Sequence, residues 1–313
     1  MKQIFNGIPP SVLVVFIVFT ACSKERYNLQ YKLEAGAVYK QQLKTDMLVA
    51  QNMMGQEMHI KNQTEIVLEN KVQDAANSRI TIESKYNFIK LVNDMGVMEM
   101  TCSSEDTTTV ATLIDIAPLL RTIKNEPFTI VINQQGIIEE ISGFDNITTL
   151  MKETACDEGI VKEQIIKSIE KQFGNDALKT FFECFTVIYP DYPVSVGDSW
   201  EQFFNAHFNY DMVINSKYTL KEVNDNTATI NYHASINSPD EDNTIEVSGM
   251  STKTDLNGTQ TGTIHVNIST GQLIDSKMIQ HLSGTMEVSQ VGMKTIMEIP
   301  LKITVNIEQA LLK

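Results

Sequence analysis

The sequence predicts an α+β protein dominated by β-structure, with two curved antiparallel β-sheet halves joined by a central helical segment. Three observations carry this expectation: long stretches alternate apolar and polar residues, turn-forming Gly, Asn and Asp separate them, and the spacing turns helical only in the middle. Taking the elements in order, Tyr39, Leu43, Met47 and Val49 share one face of a first strand, which Met54-Gly55-Gln56 turns back. In Ser78–Val92 the inward set is Ile80, Ile82, Tyr86 and Phe88, against Thr81, Glu83, Lys85 and Asn87. At the C-terminus Met297, Ile299, Leu301, Ile303, Val305 and Ile307 alternate with polar residues. One dry face and one wet face per strand is the habit of antiparallel sheets, and strands this long must twist and curve.

Helical spacing is expected near Val110–Ile123, bent at Pro118, and again after Phe144. Val161, Ile165, Ile166, Ile169 and Phe173 predict a further helix closed by Gly174. Asn175 or Asp176 then caps another, which carries Leu178, Phe181, Phe182 and Phe185. Two returning helices would bring Cys184 towards Cys156, so a disulfide between them is feasible, the alternative being two buried thiols. Leu33-x-x-Gly36-x-x-Tyr39 and Val194-x-x-Gly197-x-x-Trp200 both open β-regions, and Val72-Gln-Asp74 and Val223-Asn-Asp225 both precede strands. This faint repeat favours two similar halves over one continuous sheet. The expected organisation is a signal segment over 1–21, an N-terminal β-region over 22–143, a helical segment over 144–188 and a C-terminal β-region over 189–313.

A chain of 313 residues with 42% hydrophobic and 20% charged residues is globular in composition. The net charge of −14 disfavours nucleic acid and broad adhesion to anionic lipid. Lys2 precedes the apolar run Val12–Phe19, which is too short to span ~30 Å of hydrocarbon comfortably as a helix but suits a signal peptide. Phe19-Thr20-Ala21-Cys22 resembles a bacterial lipobox. That resemblance implies cleavage before Cys22 and lipidation of Cys22, hence a membrane anchor in the cell envelope. Ser23 stands where an inner-membrane retention signal carries Asp, which by the same resemblance favours the outer membrane.

Met53-Met-Gly-Gln56, Gln135-Gly-Ile-Ile-Glu139 with Ser142-Gly143, and Tyr189-Pro-Asp-Tyr-Pro-Val-Ser-Val-Gly-Asp-Ser-Trp200 together resemble a family of uncharacterised Gram-negative lipoproteins of about 300 residues. The resemblance implies placement and architecture; it supplies no catalytic or binding residues.

The search for chemistry returns mostly absences. No nucleophile elbow, zinc-protease helix, phosphate-binding loop or dinucleotide fingerprint occurs. Ser168-Ile-Glu-Lys171 matches the start of a penicillin-recognising serine signature without its companions. Five scattered histidines lack i, i+2 partners, so no metal site is expected from them. Ser238-Pro-Asp-Glu-Asp-Asn243 lacks the spacing of a calcium loop. Met47, Met53, Met54, Met58, Met95, Met98 and Met100 read as core filler or as a deformable wall for an apolar ligand, with thioether-bound copper a remote alternative. The expectation is therefore a non-enzymatic, cofactor-free envelope lipoprotein. It would bind an apolar ligand, a lipid or an envelope protein against its curved sheets. The alternative is a structural subunit with no small-molecule ligand.

Overall fold

The computed structural model describes residues 24–53, 55–96, 98–107, 117–154, 175–207, 211–239, 244–247, 250–290 and 297–312. The signal segment, Cys22, Cys156, the helix expected over 161–173, Ser168 and Lys171 lie outside them, as does most of the acidic loop.

Among the described residues, thirteen strands form one antiparallel sheet. The N-terminal group is β1 (Val38–Met53), β2 (Gln56–Ala76), β3 (Arg79–Asp94), β4 (Glu99–Ser103), β5 (Pro127–Asn133) and β6 (Ile138–Ser142). The C-terminal group is β7 (Ser199–His207), β8 (Asp211–Asn224), β9 (Thr227–Asn237), β10 (Thr244–Val247), β11 (Met250–Asn267), β12 (Leu273–Gln290) and β13 (Met297–Leu312). The main order is β6-β5-β3-β2-β1-β13-β12-β11-β9-β8-β7, with β4 beside β3 and β10 beside β11.

The two groups expected from sequence are both present, but they are not separate sheets joined by helices. They fuse edge to edge, because β1 pairs with β13 from Lys40↔Leu312 to Gln51↔Leu301. A backbone ladder of that length satisfies donors and acceptors that two free edges would leave open. β1 alone extends about 50 Å at roughly 3.3 Å per residue.

Alternation sends one residue in two inward. Met212, Ile214, Ser216, Tyr218 and Leu220 of β8 are all buried, as are Ile299, Leu301, Ile303 and Ile307 of β13. In β3 the inward set is Ile80, Ile82, Ser84 and Tyr86, after which a bulge against Val67/Leu68 shifts the phase to Ile89. Phe88, expected inside, therefore pairs opposite Val67 on the other phase. In β11, a Cβ added at Gly258 or Gly262 would run into the backbone of His281 or Lys277 on β12. Glycine here permits the close strand approach that accompanies strong curvature.

The helices are α1 (Ala117–Ile123), α2 (Phe144–Thr154) and α3 (Asn175–Phe185). As described, α1 includes Pro118, and the rest of the helix expected over 110–123 lies outside the described residues. α3 packs against both β6 and β7, the two ends of the sheet path, so it spans the gap between them. Its Leu178 and Phe182 are buried in the same apolar core that takes residues from both strand groups.

The sequence repeat is real at the level of hydrogen bonds. Gly36 N–H donates to Val72 O while Val72 N–H donates to Ala37 O; Gly197 N–H donates to Leu220 O while Leu220 N–H donates to Asp198 O. Both glycines have positive φ, 86° and 96°. Each hairpin then carries a register shift just past the matched residue, at Val72/Asp74 and at Leu220/Glu222. Val72 thus corresponds to Leu220, not to Val223 as the sequence alone suggested.

Candidate ligand-binding interior

The base of the molecule is the end where the β2–β3, β5–β6, β8–β9 and β11–β12 turns gather. An N-terminal strap crosses it. Tyr27 exchanges both backbone hydrogen bonds with Val194, at 2.8 and 2.9 Å; Tyr31 N–H donates to Gln134 O, and Lys32 N–H to Thr270 O. Two of the three segments that carry the family resemblance meet this strap: Tyr189 N–H donates to Gln135 O, and the Tyr189 hydroxyl donates to Gly271 O at 2.6 Å. Those motifs are therefore structural, locking the strap beneath the sheet. Lys24 lies at this base, with its Nζ beside Gly197.

Above the strap, between α3 and the sheet, is a cavity of about 80 Å³. Its wall combines Tyr39, Gln41, Asn70 and Ser84 with Leu68, Ile82, Ile130, Ile132 and Leu311, and α3 contributes Phe182 and Phe185. Among the described residues, no charged side chain lines it. Tyr39, Asn70 and Ser84 stand in one cross-strand row of β1, β2 and β3. Asn70 is 5% exposed, and its Oδ1 accepts from the Ser84 hydroxyl at 2.7 Å. Burial holds the Tyr31 and Tyr39 hydroxyls well above the ordinary phenol range, so both stay neutral donors.

α3 is fixed over this cavity by a buried polar relay from the middle of the sheet. Ser276 donates to Gln309 Oε1 at 2.8 Å, and Gln309 Nε2 donates to Phe185 O at 3.0 Å. The relay satisfies a carbonyl in the last turn of α3 that the helix itself leaves open. Phe181, Phe182 and Phe185 form an aromatic cluster, and Phe182 continues to Phe128 at 5.6 Å. Cys184, on the same helix, has a thiol pushed up to about 12 by burial and, secondarily, by Glu183. A neutral thiol of this kind is a poor nucleophile. Its expected disulfide partner, Cys156, lies outside the described residues.

The remaining sequence candidates fall elsewhere. Met47 and Met100 pack against the core, whereas Met58, Met95 and Met98 are exposed at hairpin tips opposite the base. Among the described residues no methionine lines the cavity, whose apolar wall is phenylalanine and branched aliphatics, while Met47 and Met100 act as core filler. His265 pairs with Asp275 at 2.8 Å and His281 with Thr304 at 3.2 Å, both on the outward phase. A groove of about 800 Å³ on that outer face is lined by Lys44, Asp46, His265, Asp275, Lys277 and Glu308 among others. Its Lys277 pairs with Glu308 and its Lys44 with Glu65, so the charges there are largely answered within the sheet. No group of three metal-ligating side chains occurs among the described residues.

Sequence reasoning passed over Asn70, Ser84, Ser276 and Gln309. The signal that marks them is a polar residue standing in the inward phase of an otherwise apolar alternation.

Comparisons with known proteins place the chain without assigning it chemistry. Residues 77–273 match DUF6263, a family of unknown function, and the chain belongs to that family. No curated protein matched in sequence. Among solved structures, a lipovitellin described for its lipid–protein interactions is similar over 90% of this chain, at 10% identity and a TM-score of 0.50. The chain spans 26% of that protein's length, and the likeness is one of fold. DynF from Micromonospora chersina covers 96% of the chain at 7% identity, with 92% of its own length matched and a TM-score of 0.21. An outer-membrane channel from Pseudomonas putida covers 90% at 8% identity, with 97% of its own length matched and a TM-score of 0.23. Among the described residues, no helix is long and apolar enough to cross a membrane.

Proposed function

We propose that this DUF6263 member is an envelope lipoprotein, held by lipidated Cys22 at a bacterial membrane, the outer rather than the inner. Its curved sheet binds an apolar or amphiphilic ligand beneath α3, without catalysis. The observation that carries the reading is the helix bridging both ends of the sheet path over a cavity that no charge lines among the described residues.

The cavity holds a small group only. An engineered hole of ~150 Å³ takes one benzene, so an acyl chain requires α3 to yield. α3 is suited to that: it meets the sheet largely through aromatic side chains that can repack on a chain of similar polarity. The fold-level likeness to a lipovitellin described for its lipid–protein interactions supports the same reading.

The reading is tested by native mass spectrometry of protein released gently from its membrane. A stoichiometric lipid adduct is the expected result, and a clean apo mass from freshly extracted protein contradicts it. Anchoring is tested separately: a Cys22→Ser protein should leave the membrane fraction and take up no palmitate label.

One observation favours a second reading, that of an interaction subunit. Met58, Met95, Met98 and Met250 are each at least 40% exposed at the hairpin-tip end of the sheet. Methionines suit adaptable contacts, and this end lies about 50 Å from the base. A protein partner cross-linked at Met98, with no lipid adduct, would select that reading.

A further inference from the structure

The cavity wall carries more information than its size. Because Ser84 donates to Asn70 Oδ1, the two protons on Asn70 Nδ2 have no partner among the described residues, although Asn70 is 95% removed from solvent. The Tyr39 hydroxyl, one strand away in the same row, likewise has no hydrogen-bond partner among them. Buried donors left unpaired are costly, so a cavity that retains them is built for something that accepts. An anion would accept, but with no cation among the described residues of the wall its charge would be buried without compensation.

We infer that the cavity seats the uncharged, acceptor-bearing head of a neutral acyl lipid, such as the ester carbonyl and hydroxyls of a monoacylglycerol, with Asn70 Nδ2 and the Tyr39 hydroxyl as donors. The inference rests on the proposed binding of an apolar chain beneath α3 and adds the class of head group. The acyl tail then runs from the polar row past Leu68 and Ile82 towards Phe182 and Phe185. Fatty acids, ionised at neutral pH, and phospholipids are discriminated against by the missing cation.

The test uses the mature chain over residues 22–313 carrying Cys22→Ser, so that no covalent acyl group competes. Bound N-phenylnaphthylamine is displaced by monooleoylglycerol or by oleate at about pH 8, where oleate monomer is charged. The expected result is displacement by monooleoylglycerol at an about tenfold lower concentration, the worth of one or two buried hydrogen bonds plus the charge penalty.

Two variants locate the preference. Asn70→Leu with Ser84→Ala removes both members of a buried pair together, which spares the fold, and Tyr39→Phe removes one oxygen while keeping the ring. Each should still bind the fluorophore but need about threefold or more monooleoylglycerol to displace it. Equal displacement by the two competitors in the wild type, or monooleoylglycerol displacement unchanged in both variants, overturns the assignment and leaves the cavity a site for water only, with fluorophore binding intact. A wild-type chain that does not bind the fluorophore at all overturns the underlying reading as well.

Discussion

The two strand groups use the same scaffold and fill it differently. In the C-terminal group the row above the Gly197 turn is Trp200–Tyr218–Tyr232, with Trp200 and Tyr218 stacked at 5.5 Å and Tyr218 edge-on to Tyr232 at 5.1 Å. Trp200 Nε1 donates to Ile188 O, and the Tyr232 hydroxyl is paired with Ser216. In the N-terminal group the corresponding row above Gly36 is Tyr39–Asn70–Ser84. Two small polar residues replace two aromatic rings, and the cavity opens at that place. One half is closed by aromatic stacking and the other keeps room and free donors. The repeat therefore supplies an internal control: the difference between equivalent rows is where ligand is expected.

The largest effect is alkaline and reaches both halves. Tyr31, Tyr39, Tyr86, Tyr189, Tyr218 and Tyr232 all have hydroxyls raised by burial. For a group whose folded pKa is raised, the unfolded state loses its proton first, so stability falls as pH climbs above the ordinary phenol value. Each such tyrosine costs about 1.4 kcal/mol per pH unit. Unfolding by circular dichroism should begin just above pH ~10 and coincide with tyrosinate absorbance. Tyr218→Phe should delay it; absorbance that rises well before unfolding would show the stack to be open.

Next comes truncation. Trp200→Ala should cost about 3–5 kcal/mol in denaturant melts, whereas Tyr39→Ala, already beside a void, should cost less than half of that. Equal costs would contradict the contrast between the rows. Smaller again, Gly36→Ala and Gly197→Ala should each cost about 1–2 kcal/mol, because both place a side chain at positive φ. Similar values would confirm that the turns are equivalent.

The smallest effect sharpens the comparison on the outer face, where the N-terminal row is Lys40–Glu69–Lys85 and its counterpart is Glu201–Lys217–His233. Lys85 at 2.9 Å, and then Lys40 at 3.4 Å, hold the Glu69 carboxyl below its usual range. Glu69→Gln should lose about 0.5 kcal/mol at neutral pH. Because the folded value is lowered, that difference should vanish as pH falls through the acid carboxylate range.

Much of this fold was legible in the sequence because it depends on local alternation. β13 buries most of the residues its pattern nominated, and α2 begins where Phe144 suggested. Phe88 misled because a bulge changes phase without changing composition. The fusion of β1 to β13 was hidden for a different reason: alternation says which way a side chain faces, not which strand lies beside it. The repeat pointed to equivalent turns, but the cavity needed subtraction of side-chain volumes between rows more than a hundred residues apart. Polar residues in the inward phase, Asn70 and Gln309 above all, were the available clue.

The account is tested most directly by copying the closed row into the open one. A chain carrying Tyr39→Trp and Asn70→Tyr, folded by circular dichroism, should no longer bind N-phenylnaphthylamine saturably, while the unaltered chain binds it in a 1:1 complex. Undiminished binding by the filled variant would place the ligand elsewhere and contradict the account.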